Sequence, residues 1–307
     1  NLEIMTTNFS IDPNTAFEAK SIAQKIAFSP FVFQASLAAR DLGLLEAVEN
    51  SGDMGLNALE ISEKTGVSSY GVKVLLDMGL SAGLVLLREE RYVLAKVGYF
   101  MLHDPMTKVN FNFTKDVCYE ALGSLEDSVK NGTPEGLKVF GDWETLYPFL
   151  GQLPPPAKKS WFDFDHYYSD QSFSEVLPLV MQCSPGLILD IGGNTGKWAR
   201  LCVEQYSEVE VCVVDLPEQI VMLQEHMTGH EASSRVTGFP ANMLDPDSKL
   251  PGNADVIWMS QFLDCFSEEL IEKILLKCMS ALPENGRLYI METFWDKQPH
   301  EIGTLSV

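Results

Sequence analysis

The sequence predicts a mainly parallel, doubly wound α/β sheet preceded by a mainly helical unit of helix, turn, helix and hairpin. Three observations carry this expectation. Short β-rich runs alternate with helical ones from about residue 186. Before residue 100, two short helical patterns lead into a hairpin pattern. A glycine cluster follows the first β-rich run of the C-terminal part, where open α/β sheets place their ligands. With 307 residues and 46% hydrophobic content, the chain has enough apolar material for two cores.

In FVFQASLAARDLGLLEAVE apolar residues recur every three or four positions, and Gly43 interrupts the pattern at a turn. LNALEISEKTGVSSYGVKVLLDMGLSAGLV reads as two short helices joined by TGVS, with Ser68 or Ser69 as the second N-cap. It runs into LVLLREERYVLA, two β-rich stretches around a charged turn, which completes the pattern of a winged helix. Units of this kind often read DNA, but SSYGVKVLLDMGL offers only Lys73 as a contact. The whole chain carries 22 basic against 43 acidic residues, a net charge of -21, which opposes binding to phosphate backbones. Nucleic acid is therefore not expected as a partner.

Residues 111–183 read as a helical connector interrupted at LPPPAKK, whose consecutive prolines are expected to break any helix. The connector contains WFDFDHYYSD. Its rings, Trp161, Phe162, Phe164, Tyr167 and Tyr168, suit either a pocket for a flat acceptor or inter-domain packing. After it come the strand patterns LILDI, VEVCVVD, RVTGF, ADVIWMS and RLYIMETFW, with helical patterns between most of them. The expected organisation is 1–110, 111–183 and 184–307, with the C-terminal end incomplete because EIGTLSV does not read as a domain ending. Six cysteines lack CxxC spacing, and the first thirty residues lack a basic start followed by an apolar core. A reduced, cytoplasmic protein without a metal site is expected. No apolar run approaches the ~20 residues that span a bilayer, so no membrane partner is expected either.

In LILDIGGNTGKWA the first sheet strand ends at Asp190 and runs through Gly192, Gly193, Asn194 and Gly196 into a helix. Glycines let a ligand lie against the backbone. Asp215 closes the next strand in VCVVDLP, beside Leu216, where an acid accepts hydrogen bonds from ribose hydroxyls. The glycines fall as GGxxG rather than GxGxxG, and a carboxylate at the loop's start disfavours a pyrophosphate but suits an ammonium and a sulfonium. The expected cofactor is S-adenosylmethionine.

On these residues the chain resembles the caffeate- and hydroxyindole-type O-methyltransferases and their bacterial small-molecule branch. The resemblance runs from LGLLEAVENSG and VLAKVGYFML through LDIGGNTG and VVDLP to GFPANML, almost the whole chain. It implies a winged-helix dimerisation domain, a homodimer, and a Rossmann-like domain that moves a methyl group to a hydroxyl of a small aromatic molecule. It also implies that Asn242 and Met243 lie beside the adenine, with Ser260 in the cofactor set. Asn194 stands where the family's loop has glycine, a mild departure because Asn tolerates positive φ.

A second departure touches the chemistry. The family's histidine base, followed by Asp-Trp, falls on Asp264, which is followed here by Cys265 and Phe266. The acid that orients that histidine corresponds to Glu292. An ordinary Asp, with a pKa of about 3.9, is a weaker base than His at about 6.5. The expectation is that burial beside Glu292 raises the proton affinity of Asp264, with His166 as an alternative imidazole. As a purely structural residue Asp264 would cap the following helix, although Ser267 is the better cap candidate. Methylation at nitrogen or carbon, and a non-catalytic cofactor-binding regulator, are the other readings.

Overall fold

The computed structural model describes residues 10–231, 233–298 and 303. The chain divides into two compact units. One comprises the residues up to Glu144 together with Leu153–Phe164; the other comprises Thr145–Gln152 and the residues from Asp165 onward. The residues of the expected connector are thus shared between the two units.

In the N-terminal unit, α1 (Ala16–Asp41) starts at a capping box. The Thr15 hydroxyl accepts the Glu18 N–H while the Glu18 carboxylate accepts the Thr15 N–H, satisfying two donors that a helix start leaves open. Gly43, at φ +75°, makes the turn into α2 (Leu44–Glu49). α3 (Ala58–Thr65) repeats the capping box with Asn57 and Glu60. α4 (Ser69–Ser81) is capped by Ser68, whose hydroxyl accepts the Gly71 N–H at 3.1 Å. β1 (Val85–Arg88) and β2 (Arg91–Leu94) pair antiparallel, with Arg88 opposite Arg91. Glu89 and Glu90 form the turn at positive φ, the geometry that a two-residue hairpin matching strand twist demands. α5 (Lys96–His103), α6 (Pro105–Phe113) and α7 (Leu125–Asn131) follow. Leu44, Leu45, Val48, Ile61, Val72, Leu76 and Tyr92 fill the core of this unit.

The prolines of LPPPAKK act differently from the expectation. Pro155 and Pro156 open α8 (Pro155–Val180) instead of breaking it, because the first turn of a helix has no internal acceptor for their missing N–H groups.

The C-terminal unit contains the second part of α8, then β3 (Leu187–Ile191), α9 (Lys197–Gln205), β4 (Glu210–Asp215), α10 (Pro217–Met227), β5 (Val236–Pro240), β6 (Val256–Ser260), α11 (Glu268–Ala281) and β7 (Arg287–Met291). Its strands lie in the order β5-β4-β3-β6-β7, all parallel. The inner strands are apolar throughout because helices cover both faces. Ile188, Val211, Val213 and Trp258 point to one face, where they meet Phe173 and Leu177 of α8, Trp198 of α9 and Leu223 of α10. Their neighbours Leu189, Val214, Ile257 and Met259 point to the other, against Ile274 and Cys278 of α11. Trp198 stacks on Trp258 with ring centroids 4.1 Å apart. β4 lies on one side of β3 and β6 on the other, so the chain reverses direction across the sheet at β3 and opens a crevice at the strands' carboxyl ends. Among the described residues, no helix is long and apolar enough to cross a membrane.

Candidate active site

The loop after β3 is shaped by what its glycines permit. Gly192 holds φ +71° and donates its N–H to the Val214 carbonyl; a Cβ there would fall 2.4 Å from the ring of Phe262. A Cβ on Gly193 would fall 2.4 Å from Asp190 Oδ2. Neither position accepts a side chain without displacing a neighbour, so backbone lines the cradle. Asn194 keeps positive φ at +50°, and Gly196 is the N-cap of α9.

Two carboxylates close this loop. Asp190 is 2% exposed and its Oδ2 has no hydrogen-bond partner among the described residues. Burial, followed by the nearby charge of Asp215, pushes its carboxyl up to about 8. Asp215 accepts the Asn194 N–H at 2.9 Å and the Leu216 N–H at 2.7 Å. Burial lifts it to about 6 despite those two bonds, which favour its charged form. Leu216 is the N-cap of α10. After β5, Met243 is buried beneath the sheet, while the carboxamide of exposed Asn242 accepts the Leu244 N–H at 2.9 Å. Ser260 ends β6 with its hydroxyl buried and unpartnered among the described residues.

The loop after β6 is tied down by Glu292, just beyond β7. Glu292 Oε1 accepts the backbone N–H groups of Phe262 at 3.0 Å and Leu263 at 2.8 Å, while Oε2 is buried without a partner among the described residues. Its carboxyl is raised, first by burial and also by the charge of Asp264. Asp264 lies in the short helical turn Leu263–Cys265 and is exposed. This corrects the expectation of a buried Asp264. Glu292 grips the backbone of the loop, so the turn carries the Asp264 side chain outward. Ser267 does occupy the N-cap of α11, but its hydroxyl makes no capping bond.

Three residues that sequence reasoning missed join this cluster. The Tyr147 hydroxyl lies 2.5 Å from Cys265 Sγ, and Cys265 Sγ donates to Asp264 Oδ1 at 3.3 Å. The thiol's single proton goes to Asp264, so the phenol is the donor to sulfur. Tyr147 shows 39% of its surface, yet its hydroxyl end is enclosed, and desolvation raises the phenol. Desolvation likewise pushes Cys265 up to about 12. On α8, burial pushes Asp165 up to about 6, helped by the charge of Asp170 and opposed by Lys197 and a hydrogen bond from the Asn194 side chain. Asp165 sits inside the aromatic stretch, where its charge type was the available signal. Nothing in the sequence around Tyr147 points to the loop after β6.

His166 also lies on α8, with Nδ1 3.9 Å from Asp170 Oδ1. Tyr167 and Tyr168 belong to the C-terminal unit and meet edge to face at 5.4 Å. Trp161, Phe162 and Phe164 belong to the N-terminal unit, where Phe164 stacks on Phe113 at 4.1 Å and Trp161 packs on the same ring at 5.7 Å. Among the described residues, no group of three or more His, Cys, Asp or Glu is arranged to hold a metal ion.

A backbone-lined cradle whose charged side chains are acids fits a small cation-bearing ligand, and the orphaned Asp190 Oδ2 is an acceptor awaiting a donor. Family models match the chain in two places: a Dimerisation2-like domain over residues 20–92 and an O-methyltransferase domain over residues 171–306. The chain carries an O-methyltransferase domain over the second of these stretches. It is an S-adenosylmethionine-dependent methyltransferase. It is 24% identical over 272 residues to the L-tyrosine C(3)-methyltransferase of Streptomyces lavendulae, a match covering 87% of this chain and 73% of that one. It is 25% identical over 267 residues to the 3-amino-4-hydroxybenzoate 4-O-methyltransferase of Streptomyces cremeus, covering 84% of this chain and 69% of that one. The solved structure of PigF with SAH shares the fold, with a TM-score of 0.69 and 22% identity over 89% of this chain and 81% of that chain.

Proposed function

We propose that this methyltransferase acts on a hydroxyl of a small aromatic molecule, with Asp264 taking the proton. The observation that supports the site is that the glycine cradle with Asp190 and the turn with Asp264 follow the carboxyl ends of the adjacent strands β3 and β6. When bound, the cofactor supplies an electrophilic methyl carbon. With the methyl carbon offered to the acceptor oxygen, Asp264 would take the hydroxyl proton. Asp215 would hold the ribose, the backbone of Gly192, Gly193, Asn194 and Gly196 would lie along the amino-acid end, and Leu216, Asn242, Met243 and Ser260 would complete the cofactor pocket. Glu292 is a positioning residue for the loop that carries Asp264, and His166 is the alternative base. Tyr167 and Tyr168, in the unit that holds the cradle, supply flat surfaces for an aromatic acceptor. Relatives named for hydroxybenzoate and tyrosine substrates support an aromatic acceptor.

One observation favours a second reading. An exposed carboxylate stands where the family has its histidine, and one relative is a carbon methyltransferase, so an activated ring carbon is the alternative nucleophile.

We further propose a homodimer in the cytoplasm. α1 leaves Phe17, Ile26 and Phe31 exposed, the Dimerisation2-like match covers most of that helix, and all six cysteines are free. The boundaries read from sequence, 1–110, 111–183 and 184–307, with a winged helix in the first, serve this reading as a division of labour: assembly, acceptor pocket and cofactor. The acidity of the chain supports assembly in place of nucleic-acid contact.

Calorimetry with S-adenosylmethionine, followed by turnover on a panel of phenols, tests the function. Wild-type protein is expected to bind and methylate, and a folded Asp215→Ala variant is expected to lose about 1–3 kcal/mol of binding. Unchanged affinity in that variant would remove Asp215 from the ribose site.

A further inference from the structure

We propose that a cleft between α11 and the segment after β5 binds a small organic anion and, through Lys277, steadies the turn at Asn242 and Met243. The cleft encloses about 500 Å³, the size of a small-molecule site. Its charged lining residues are Lys249, Lys273 and Lys277, and no acid lines it. In a chain with 22 basic against 43 acidic residues, that composition is the reverse of what chance placement gives. Asp245 and Asp247 belong to the same segment without lining the cleft, and the Asp245 carboxylate turns back to accept the Asp247 N–H at 2.9 Å.

The three lysines are held differently. Lys277 is half-buried on α11, and its ammonium donates to the Met243 carbonyl at 2.9 Å and the Asp245 carbonyl at 2.5 Å. An ammonium has three protons, so one donor is left for a ligand. Lys249 and Lys273 are exposed and make no ion pair among the described residues. Three cations around one cleft repel each other until an anion joins them. The remaining lining supplies the other half of the ligand. Met243, Leu250 and Leu276 offer apolar surface, and Leu276 stays exposed on a helix whose opposite face, with Ile274 and Cys278, is core. The chemistry that fits is a carboxylate or phosphate carried on a compact apolar body.

Lys277 links this cleft to the cofactor reading above. It holds two carbonyls of the turn that carries Asn242 and Met243, which that reading assigns to the cofactor pocket. An anion on the third donor fixes the ammonium, so the turn loses freedom before the cofactor arrives. By reciprocity the cofactor tightens the anion by the same factor. The coupling rests on the cofactor reading; the anion site does not.

The test is calorimetric titration of the cofactor-free protein with benzoate and phenyl phosphate, alongside benzyl alcohol and inorganic phosphate. Both organic anions are expected to bind, more weakly as salt rises, and the tighter of the two identifies the head group. A Lys249→Ala, Lys273→Ala double variant removes two exposed side chains and is expected to weaken binding about tenfold. Lys273→Gln alone should weaken it severalfold and serves if the double variant does not fold. Undiminished binding in these variants would place the anions elsewhere, the acceptor site included, and overturn the proposal. So would benzyl alcohol binding as tightly as benzoate, or inorganic phosphate as tightly as phenyl phosphate. With the tighter anion saturating, wild-type affinity for S-adenosylmethionine is expected to rise about fivefold, and the double variant at the same concentration should show a smaller rise. A bound anion without that rise would overturn the coupling. Wild type that binds the anion but no S-adenosylmethionine would instead overturn the cofactor reading and leave the anion site in place.

Discussion

The loop after β3 and the loop after β6 sit at adjacent strand ends of one sheet, and they are built on opposite principles. The first is specified by backbone: glycines that admit no Cβ, the buried Asp190, and N–H groups held by the half-buried Asp215. The second is specified by side chains. Glu292 grips its backbone, and Asp264, Cys265 and Tyr147 form a short polar chain on its outer side. A cofactor that never changes can be met by fixed backbone, whereas an acceptor that differs among relatives is met by groups that exchange without disturbing the sheet. Loss of the usual histidine falls on the second loop, as this division of labour leads one to expect.

The comparison breaks most visibly at Asp264. Asp264→Asn keeps the shape of the turn and removes the proposed proton acceptor. It should lower turnover by roughly a hundredfold to ten-thousandfold while leaving cofactor affinity nearly unchanged. Steady-state rates on a responsive phenol, paired with calorimetry, check both halves. Full activity here together with loss in His166→Ala would move the base to α8. Full activity in both variants would favour the carbon nucleophile.

Gly192 is where the two loops touch, so Gly192→Ala tests whether they are independent. The added methyl lies at φ +71° and 2.4 Å from the Phe262 ring. Left-handed strain and displacement of that ring should cost about 1–3 kcal/mol, a fivefold to hundredfold loss of cofactor affinity. Because Phe262 belongs to the loop that carries the proposed base, KM for the acceptor should rise too. A variant that weakens the cofactor alone would show that the loops are uncoupled.

How much of this was legible from sequence follows the same line. The strand and helix alternation, the hairpin turn and the glycine cradle were readable because they rest on backbone constraints that few residue types meet. The LPPPAKK prolines were misread as a break, since proline at a helix's first turn and proline inside one look alike in composition. The exposure of Asp264 was also misread, because the spacing that aligns it with the family's base carries no information about which way a short turn points. Tyr147 and Asp165 were missed for a related reason. Each reaches the site from a segment that is distant in sequence, and only the folded chain brings Tyr147 to Cys265 or Asp165 to Asn194.

The desolvated acids at and beside the first loop give it a pH signature. Asp190, Asp215 and Asp165 are raised to about 8, 6 and 6 from an ordinary 3.8. Between roughly pH 4 and 8 the folded chain without cofactor therefore binds protons that the unfolded chain releases. Its stability should fall as pH rises through that window. Acids lowered by their partners, such as Asp41 and Asp104, act in the opposite sense but only below their ordinary range. Thermal unfolding of the cofactor-free protein should show a Tm several degrees lower at about pH 8 than at about pH 5.5. Saturating S-adenosylmethionine should narrow the gap, because a bound cation favours the ionised acids. A Tm that rises with pH in the absence of cofactor would show that the acids of this loop are not desolvated as the fold implies.

The smallest expected effect lies at Tyr147. Its hydroxyl donates to Cys265, which donates to Asp264, so the phenol supports the proton acceptor at one remove. Removing it in Tyr147→Phe deletes one hydrogen bond and leaves the ring in place. The change should be worth about 1 kcal/mol, a severalfold loss of turnover with little change in cofactor affinity. Cys265→Ser, which keeps a donor to Asp264, should restore most of the rate lost in Cys265→Ala. A Tyr147→Phe variant with wild-type turnover would confine the Tyr147–Cys265 contact to packing, and Asp264 would then work without support from its own side of the loop.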